Sequence, residues 1–303
     1  VLGLDDEVST DHDWGLRLTV LADAPGAGEF LEARLPVAFA GHPVRFATTW
    51  DPVVRHRVEV ATVEEFVVQR LGVGPDAPWS VTDWLGFTGQ SVLELVAGPV
   101  FADDEGRWAR LRGRLAHHPD DLRRYLLACG WRQLEQELPF VGRAGSRGDD
   151  LGSRVVAARL VDVAVRLGLL LDRAWAPYPK WTGTVFARSP SGRVAGHLAA
   201  CLAAGDWRER EAALCAALEG LRARQREVGL PVPGTATAPF HDRPFRGVPQ
   251  AAATVLLAGV TDPAVRALPV GAGSVEQWVG AVDVLVHPDL RRAVTAALHG
   301  PGW

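Results

Sequence analysis

The chain has 303 residues, 48% of them hydrophobic and 22% charged, and a formal net charge of −4. That length buries a sizeable core and has room for two ordinary domains or one large one. The acidic balance speaks against a strongly basic nucleic-acid scaffold, so nucleic acid is not an expected partner, although a local basic groove stays compatible with it.

In chain order, residues 1–21 read as an acidic loop followed by a strand: Asp5, Asp6 and Glu7 are polar, then Leu16, Leu18 and Val20 alternate with Arg17 and Thr19. Ala24–Gly28 reads as a turn or helix entry, and a short helix is predicted over 29–40, stopped near Gly41. His56–Thr62 reads as a second strand, with Val58 and Val60 on one face and Arg57, Glu59 and Ala61 on the other. Thr62 with Glu65 three residues on has the pattern of a capping box opening a helix.

From about residue 80 the periodicity becomes helical, with helices predicted over 81–86, 90–97, 119–138, 150–175, 193–204, 206–228, 248–259, 274–285 and 288–298. Pro and Gly clusters punctuate them at 176–179, 189–192, 229–239 and 269–273. The expected class is α+β. A small α/β unit over 1–100 is followed by a helical domain over 101–303, the boundary falling between 75 and 105 with Gly72–Pro78 as a candidate linker.

Cys129, Cys201 and Cys215 form no CxxC pair, suit a reducing cytoplasm and read as small buried hydrophobes. Val155–Leu171 is the most apolar stretch, but it carries Arg159, Asp162 and Arg166, which predicts a buried helix and no membrane span. The chain has no methionine, isoleucine or asparagine, one lysine (Lys180) and two tyrosines (Tyr125, Tyr178), as expected of a very GC-rich genome and an incomplete N-terminus. Against that background a retained lysine beside a tyrosine is informative.

Asp11 and Asp13 flank His12, so in an extended segment both carboxylates point to one face. Two such carboxylates repel one another unless a cation lies between them, and Mg²⁺ takes one or two carboxylates plus substrate phosphates. The alternative is a solvated acidic loop, since residues 5–13 contain five acids. Glu59, flanked by Val58 and Val60, supplies a candidate third carboxylate as metal ligand or general base, or else faces solvent from an amphipathic strand.

The block Leu2-Gly-Leu-Asp-Asp-Glu-Val-Ser-Thr-Asp-His-Asp-Trp-Gly15 resembles the start of the bacterial DUF4037 family, as do Phe140–Arg143, Gly148-Asp149, Ala176–Trp181 and His241–Phe245 elsewhere in the chain. That family is related to nucleotidyltransferases of the DNA polymerase β type, including the kanamycin and lincosamide enzymes. The resemblance implies a polymerase-β-like α/β domain carrying Asp11 and Asp13, followed by a helical domain closing over the nucleotide. The Gly-Ser motif that binds the triphosphate in that superfamily is expected just before Val1.

In the helical domain, Lys180 is a candidate phosphate contact and Tyr178 or Trp181 a stacking platform, the alternative being a lysine lying along packed aromatics. Arg143 and Asp149 precede a long helix in Gly-rich sequence suited to phosphate or sugar contacts; N-capping is the alternative for Asp149 and the favoured reading for Asp150. Arg243 is either a second anion contact or a surface partner of Asp242, and His117-His118 reads as a polar pair at a helix end. The expected activity is a Mg²⁺-dependent transfer of a nucleoside monophosphate from an NTP, ATP first, to a hydroxyl of a small molecule. The alternative is a non-catalytic nucleotide-binding or regulatory module of the same fold.

Overall fold

The computed structural model describes residues 2–4 and 14–299. Asp11 and Asp13 lie outside the described residues. The chain divides into two compact units: the residues up to Pro78 with Glu94–Leu111, and Trp79–Leu93 with the residues from Arg112 onward. Its class is α+β.

The first unit contains β1 (Leu18–Leu21), α1 (Ala27–Arg34), β2 (Ala38–Phe39), β3 (His42–Pro43), β4 (Arg45–Thr48), β5 (Asp51–His56), β6 (Val58–Ala61) and α2 (Val63–Leu71). The helix predicted over 29–40 ends at Arg34, because Leu35 precedes Pro36 and adopts extended backbone, as a residue before proline prefers. β2 and β3 then form a hairpin whose two turn residues, Ala40 and Gly41, both have positive φ (51° and 81°), the geometry that matches strand twist.

The strand expected over 56–62 is two strands that part at Arg57. β5 pairs antiparallel with β4, whereas β6 pairs in parallel with β1. The Arg57 guanidinium turns back to the hairpin, donating from Nε to the Phe46 carbonyl at 2.8 Å and from Nη1 to Asp51 at 2.8 Å. Arg57 and then Arg55 hold the Asp51 carboxyl well below the usual carboxylate range. Thr62 and Glu65 close the capping box of α2 at 3.1 and 2.8 Å, and Gly72 ends that helix with φ 76°.

The second unit opens with α3 (Val81–Gly86). Then come α4 (Gly89–Val96) and α5 (Arg107–Arg114), whose residues are shared between the units. α6 (Asp120–Gly145) runs beyond its predicted end at 138, continuing through the buried Pro139. α7 (Asp150–Leu171) returns alongside it, followed by α8 (Pro179–Arg188), a 3-10 turn (Pro190–Val194), α9 (Ala195–Ala203) and α10 (Trp207–Glu227). β7 (Ala238–Pro239) and β8 (Arg246–Gly247) make a short hairpin. α11 (Ala251–Leu257), α12 (Pro263–Arg266), α13 (Val275–Trp278), α14 (Val282–Val286) and α15 (Pro288–His299) complete the described chain.

The core lies among α6, α7, α9, α10 and α11, where Trp131, Leu134, Leu160, Ala164, Leu214 and Leu218 are almost wholly removed from water. Burying such side chains contributes roughly 1.5–3 kcal/mol each. Trp131 is anchored within it by donating Nε1–H to the buried Gln225 at 2.8 Å. Cys129 and Cys201 are buried free thiols and Cys215 is half-buried. Among the described residues no helix is long and apolar enough to cross a membrane.

Asp121, in the first turn of α6, ties that helix to the segment before α12. Its carboxylate accepts from Thr261 N (2.6 Å), Thr261 Oγ1 (2.8 Å), Asp262 N (2.7 Å) and Arg124 (2.7 Å). Burial alone would raise its pKa, but these donors outweigh burial and bring it to about 2. A lowered carboxylate pKa stabilises the fold above the unfolded value near 3.8, and that contribution is lost as pH falls toward about 2. Asp121→Asn is expected to cost about 2 kcal/mol at neutral pH, with the gap to wild type closing between pH 4 and pH 2. Urea unfolding across that range checks it, and a gap that persists at pH 2 contradicts it.

Candidate functional site

Glu59 is the member of the predicted acidic set that the described residues include. Its strand β6 lies parallel to β1, the strand that follows the Asp-x-Asp segment, with Thr19 opposite Glu59. The carboxylate is 40% exposed and accepts from Arg70 Nη2 at 3.1 and 3.3 Å. Arg70 comes from the last turn of α2, lies 3.5 Å over the Phe66 ring and reaches Glu94 with Nε at 3.2 Å. A carboxylate offers about four lone-pair directions, so the guanidinium leaves part of the Glu59 acceptor capacity unspent. Among the described residues no three His, Cys, Asp or Glu side chains gather as a metal-binding group.

Tyr178 and Lys180 stand at the start of α8 in the helical unit. Tyr178 has extended backbone as the N-cap, and Pro179 takes the first helical position, where its missing N–H costs nothing. The loop before it is fixed from several sides. Trp175 Nε1 donates to the Leu115 carbonyl at 2.8 Å, Tyr178 N donates to Gln90 at 3.2 Å, and Thr182 Oγ1 donates to the Pro177 carbonyl at 2.8 Å. Gly89 sits so close that a Cβ there would overlap the Ala176 backbone, and its N–H donates to Glu276 at 2.8 Å. Tyr178 and Lys180 are exposed on this held loop, the Lys180 ammonium 5.1 Å from the Trp181 ring centroid. That geometry serves either an anion contact or a lysine lying along its aromatic neighbour.

Behind the loop, His118 corrects its sequence reading. His117 is exposed, but the His118 ring packs 4.0 Å from Trp175 and 6.3 Å from Trp84, centroid to centroid. Burial first, then His117 and Arg123, push its pKa down to about 3, so the ring is neutral at pH 7. Nothing in the local sequence marks it, because its aromatic partners are remote in the chain.

Arg143 and Asp149 lie at the N-terminal end of α7 and the Tyr178 loop follows its C-terminal end. A helix of this length spans about 33 Å, so the structure does not bring the two pairs together. Asp149 is the α7 cap, accepting from Gly152 N at 2.7 Å, whereas Asp150, expected as the cap, pairs with Arg154 at 2.6 Å and Arg210 at 2.8 Å. Arg143 is exposed and lies 5.2 Å over the Phe140 ring. Two family-like stretches do meet: Gly142 of Phe140–Arg143 leaves room for the Phe245 ring of His241–Phe245, and Trp207 packs 5.7 Å from Phe245. Arg243 pairs with Asp242 at 3.5 Å, both well exposed.

These features define an α+β protein with a small strand-bearing unit and a larger helical unit built around a two-helix hairpin. Residues 84–182 match the family model DUF4037, a domain of unknown function. The match supports the family resemblance and contains Phe140–Arg143, Gly148-Asp149 and Ala176–Trp181, while the N-terminal acidic block and His241–Phe245 lie outside it. No curated protein and no solved structure matches the chain.

The close approach of Gly89 to Ala176 and the exposure of Lys180 make opposite predictions. Gly89→Ala should destabilise the protein by about 2 kcal/mol, because backbone has to move apart and the Glu276 hydrogen bond with it. Lys180→Ala should change stability by less than about 0.5 kcal/mol, so any effect of that variant on ligand binding reports contact rather than folding. Thermal or urea unfolding of the two variants side by side tests both statements.

Proposed function

We propose that the chain is a Mg²⁺-dependent nucleotidyltransferase acting on a small-molecule hydroxyl, with ATP as the first nucleotide to try. In the reaction the acceptor oxygen forms a bond to the α-phosphorus, the bond from that phosphorus to the α,β-bridging oxygen breaks, pyrophosphate leaves and the hydroxyl proton is lost. The observation that carries the reading is the parallel pairing of β1 with β6, which puts Glu59 on the strand beside the one that follows Asp11 and Asp13. Asp11, Asp13 and Glu59 would hold Mg²⁺, whose charge neutralises the triphosphate. All three are hard oxygen donors, the set that this ion prefers. Lys180 and Tyr178 are exposed on the helical unit, and their parts as phosphate and base contacts belong to the same proposal.

A second reading, a nucleotide-binding module without turnover, draws support from the Glu59–Arg70 pair, because a metal has to share that carboxylate with a guanidinium. Calorimetric titration with ATP, with and without Mg²⁺, followed by pyrophosphate release over a panel of hydroxyl compounds, separates the two. The enzyme reading expects saturable Mg²⁺-dependent binding and release with at least one acceptor. It also expects Asp11→Ala combined with Asp13→Ala to weaken MgATP binding by more than about tenfold. Binding without release in any arm selects the module, and binding unchanged in the double variant removes the metal site from both readings.

A further inference from the structure

We propose, resting on the reading of Glu59 as a metal ligand, that Arg70 ties cation binding at this site to the triphosphate. Its charge opposes Mg²⁺ that arrives alone and favours Mg²⁺ that arrives with a nucleotide. Arg70 is thus a positioning residue that sets the order in which the site is filled.

The guanidinium is fixed from several sides. Nη1 donates to the Phe66 carbonyl, one turn back on α2, at 3.3 Å and to Gln69 at 3.2 Å. The buried Phe66 ring lies 3.5 Å from the face of the group, and the Glu94 carboxylate of α4 lies 3.2 Å from Nε. Nη2 reaches Glu59, at 3.1 and 3.3 Å. The contacts other than Glu59 keep the guanidinium in place whichever way that carboxylate turns. Its charge therefore stays beside the Glu59 oxygens when one of them faces a cation. The Arg70 side chain is only 16% exposed, so water and salt screen it less than a surface charge.

A fixed positive charge next to a ligand oxygen lowers the affinity of that oxygen for a second cation. Glu94 offsets part of the Arg70 charge, but it is 37% exposed and shares its field with water. The sign reverses when the cation comes with a triphosphate. The metal–nucleotide complex carries net negative charge, and the same guanidinium attracts it. One residue then weakens the bare cation and strengthens the complex, which is a coupling free energy between metal and nucleotide. An arginine that served only to tie α2 to β6 and α4 would change stability and leave the balance between the two ligands where it was.

The test uses Mn²⁺, which takes the same oxygen ligands as Mg²⁺, at constant ionic strength. The full chain is titrated with Mn²⁺ alone, read by the electron paramagnetic resonance of the free ion. It is titrated separately with the Mn²⁺ complex of α,β-methylene-ATP, read by calorimetry. Arg70→Gln, with its unfolding midpoint checked, should bind Mn²⁺ alone about fivefold tighter or more, and the nucleotide complex about fivefold weaker or more. Arg70→Lys keeps the charge and should restore the wild-type ratio of the two affinities. Glu94→Gln leaves the Arg70 charge less balanced and should move that ratio the opposite way from Arg70→Gln. A ratio in folded Arg70→Gln that is unchanged, or that shifts against bare Mn²⁺, overturns the proposal. Where Arg70→Gln fails to fold, an unchanged ratio in Glu94→Gln overturns it instead. Wild-type chain that binds neither probe, or binding indifferent to Asp11→Ala combined with Asp13→Ala, removes the metal reading and this inference with it. A metal site that is lost in that double variant but unmoved by Arg70→Gln removes this inference alone.

Discussion

Two buried guanidinium groups, one at each end of α7, hold the helical unit in register. At the N-terminal end Arg210 of α10, fully buried, donates to Ser153 Oγ at 2.6 Å and to Asp150 at 2.8 Å. At the C-terminal end Arg123 of α6, also buried, donates to the Leu170 and Leu171 carbonyls at 2.7 and 2.6 Å, satisfying acceptors that a helix leaves open. A buried charge is tolerated only when its partners are in place, and breaking such a set by removing one member costs several kcal/mol. The two clamps therefore define where α6, α7 and α10 sit relative to one another. They also set the loops at each end, Arg143–Asp149 on one side and Asp172–Tyr178 on the other. Asp172 extends the second clamp by accepting from Arg224 and from Ser191 N, each at 2.7 Å.

The two units are stabilised in different ways. In the helical unit large apolar side chains fill the space between long helices, and small residues let those helices approach, as Gly168 does for Phe186. In the first unit the strands are short, their sheets are two-stranded, and Phe39, Val54 and Trp50 are exposed at 66%, 66% and 89%. Charge pairing does more of the local ordering there. Asp51 with Arg55 and Arg57 sets the β4–β5 hairpin, and Glu32 with Arg45 links α1 to β4.

Features governed by near neighbours in the chain were legible in the sequence. The Thr62 capping box and the bounds of α3 follow from capping chemistry and the 3.6-residue period and stand in the structure as read, and α7 starts at residue 150 as read although its cap is Asp149 and not Asp150. The end of α1 was equally local, but the reading passed over the effect of Pro36 on Leu35. What stayed hidden depends on partners remote in sequence. The break at Arg57 follows from the Phe46 carbonyl and Asp51, the role of His118 from Trp84 and Trp175, and the need for Gly89 from the Ala176 backbone. For the site, the sequence showed that Glu59 lies on a strand. It did not show that Arg70, eleven residues on and a helix away, would turn back to it.

Arg70 bears on whether an acid already in an ion pair can also serve as a ligand. A guanidinium held by a single carboxylate would be stranded if that carboxylate turned to a cation, and the cost would oppose the change. Arg70 is not in that position, since the Glu94 carboxylate lies 3.2 Å from its Nε as a second ion-pair partner and the Phe66 ring lies against its face. Its place on α2 therefore does not depend on Glu59 alone. Glu59, 40% exposed, keeps contact with water, so neither the paired nor the released form requires burying a bare charge. The ion pair thus acts as a weak hold on the rotamer of Glu59, keeping the carboxylate at the end of the Arg70 fork while leaving lone pairs for another positive group.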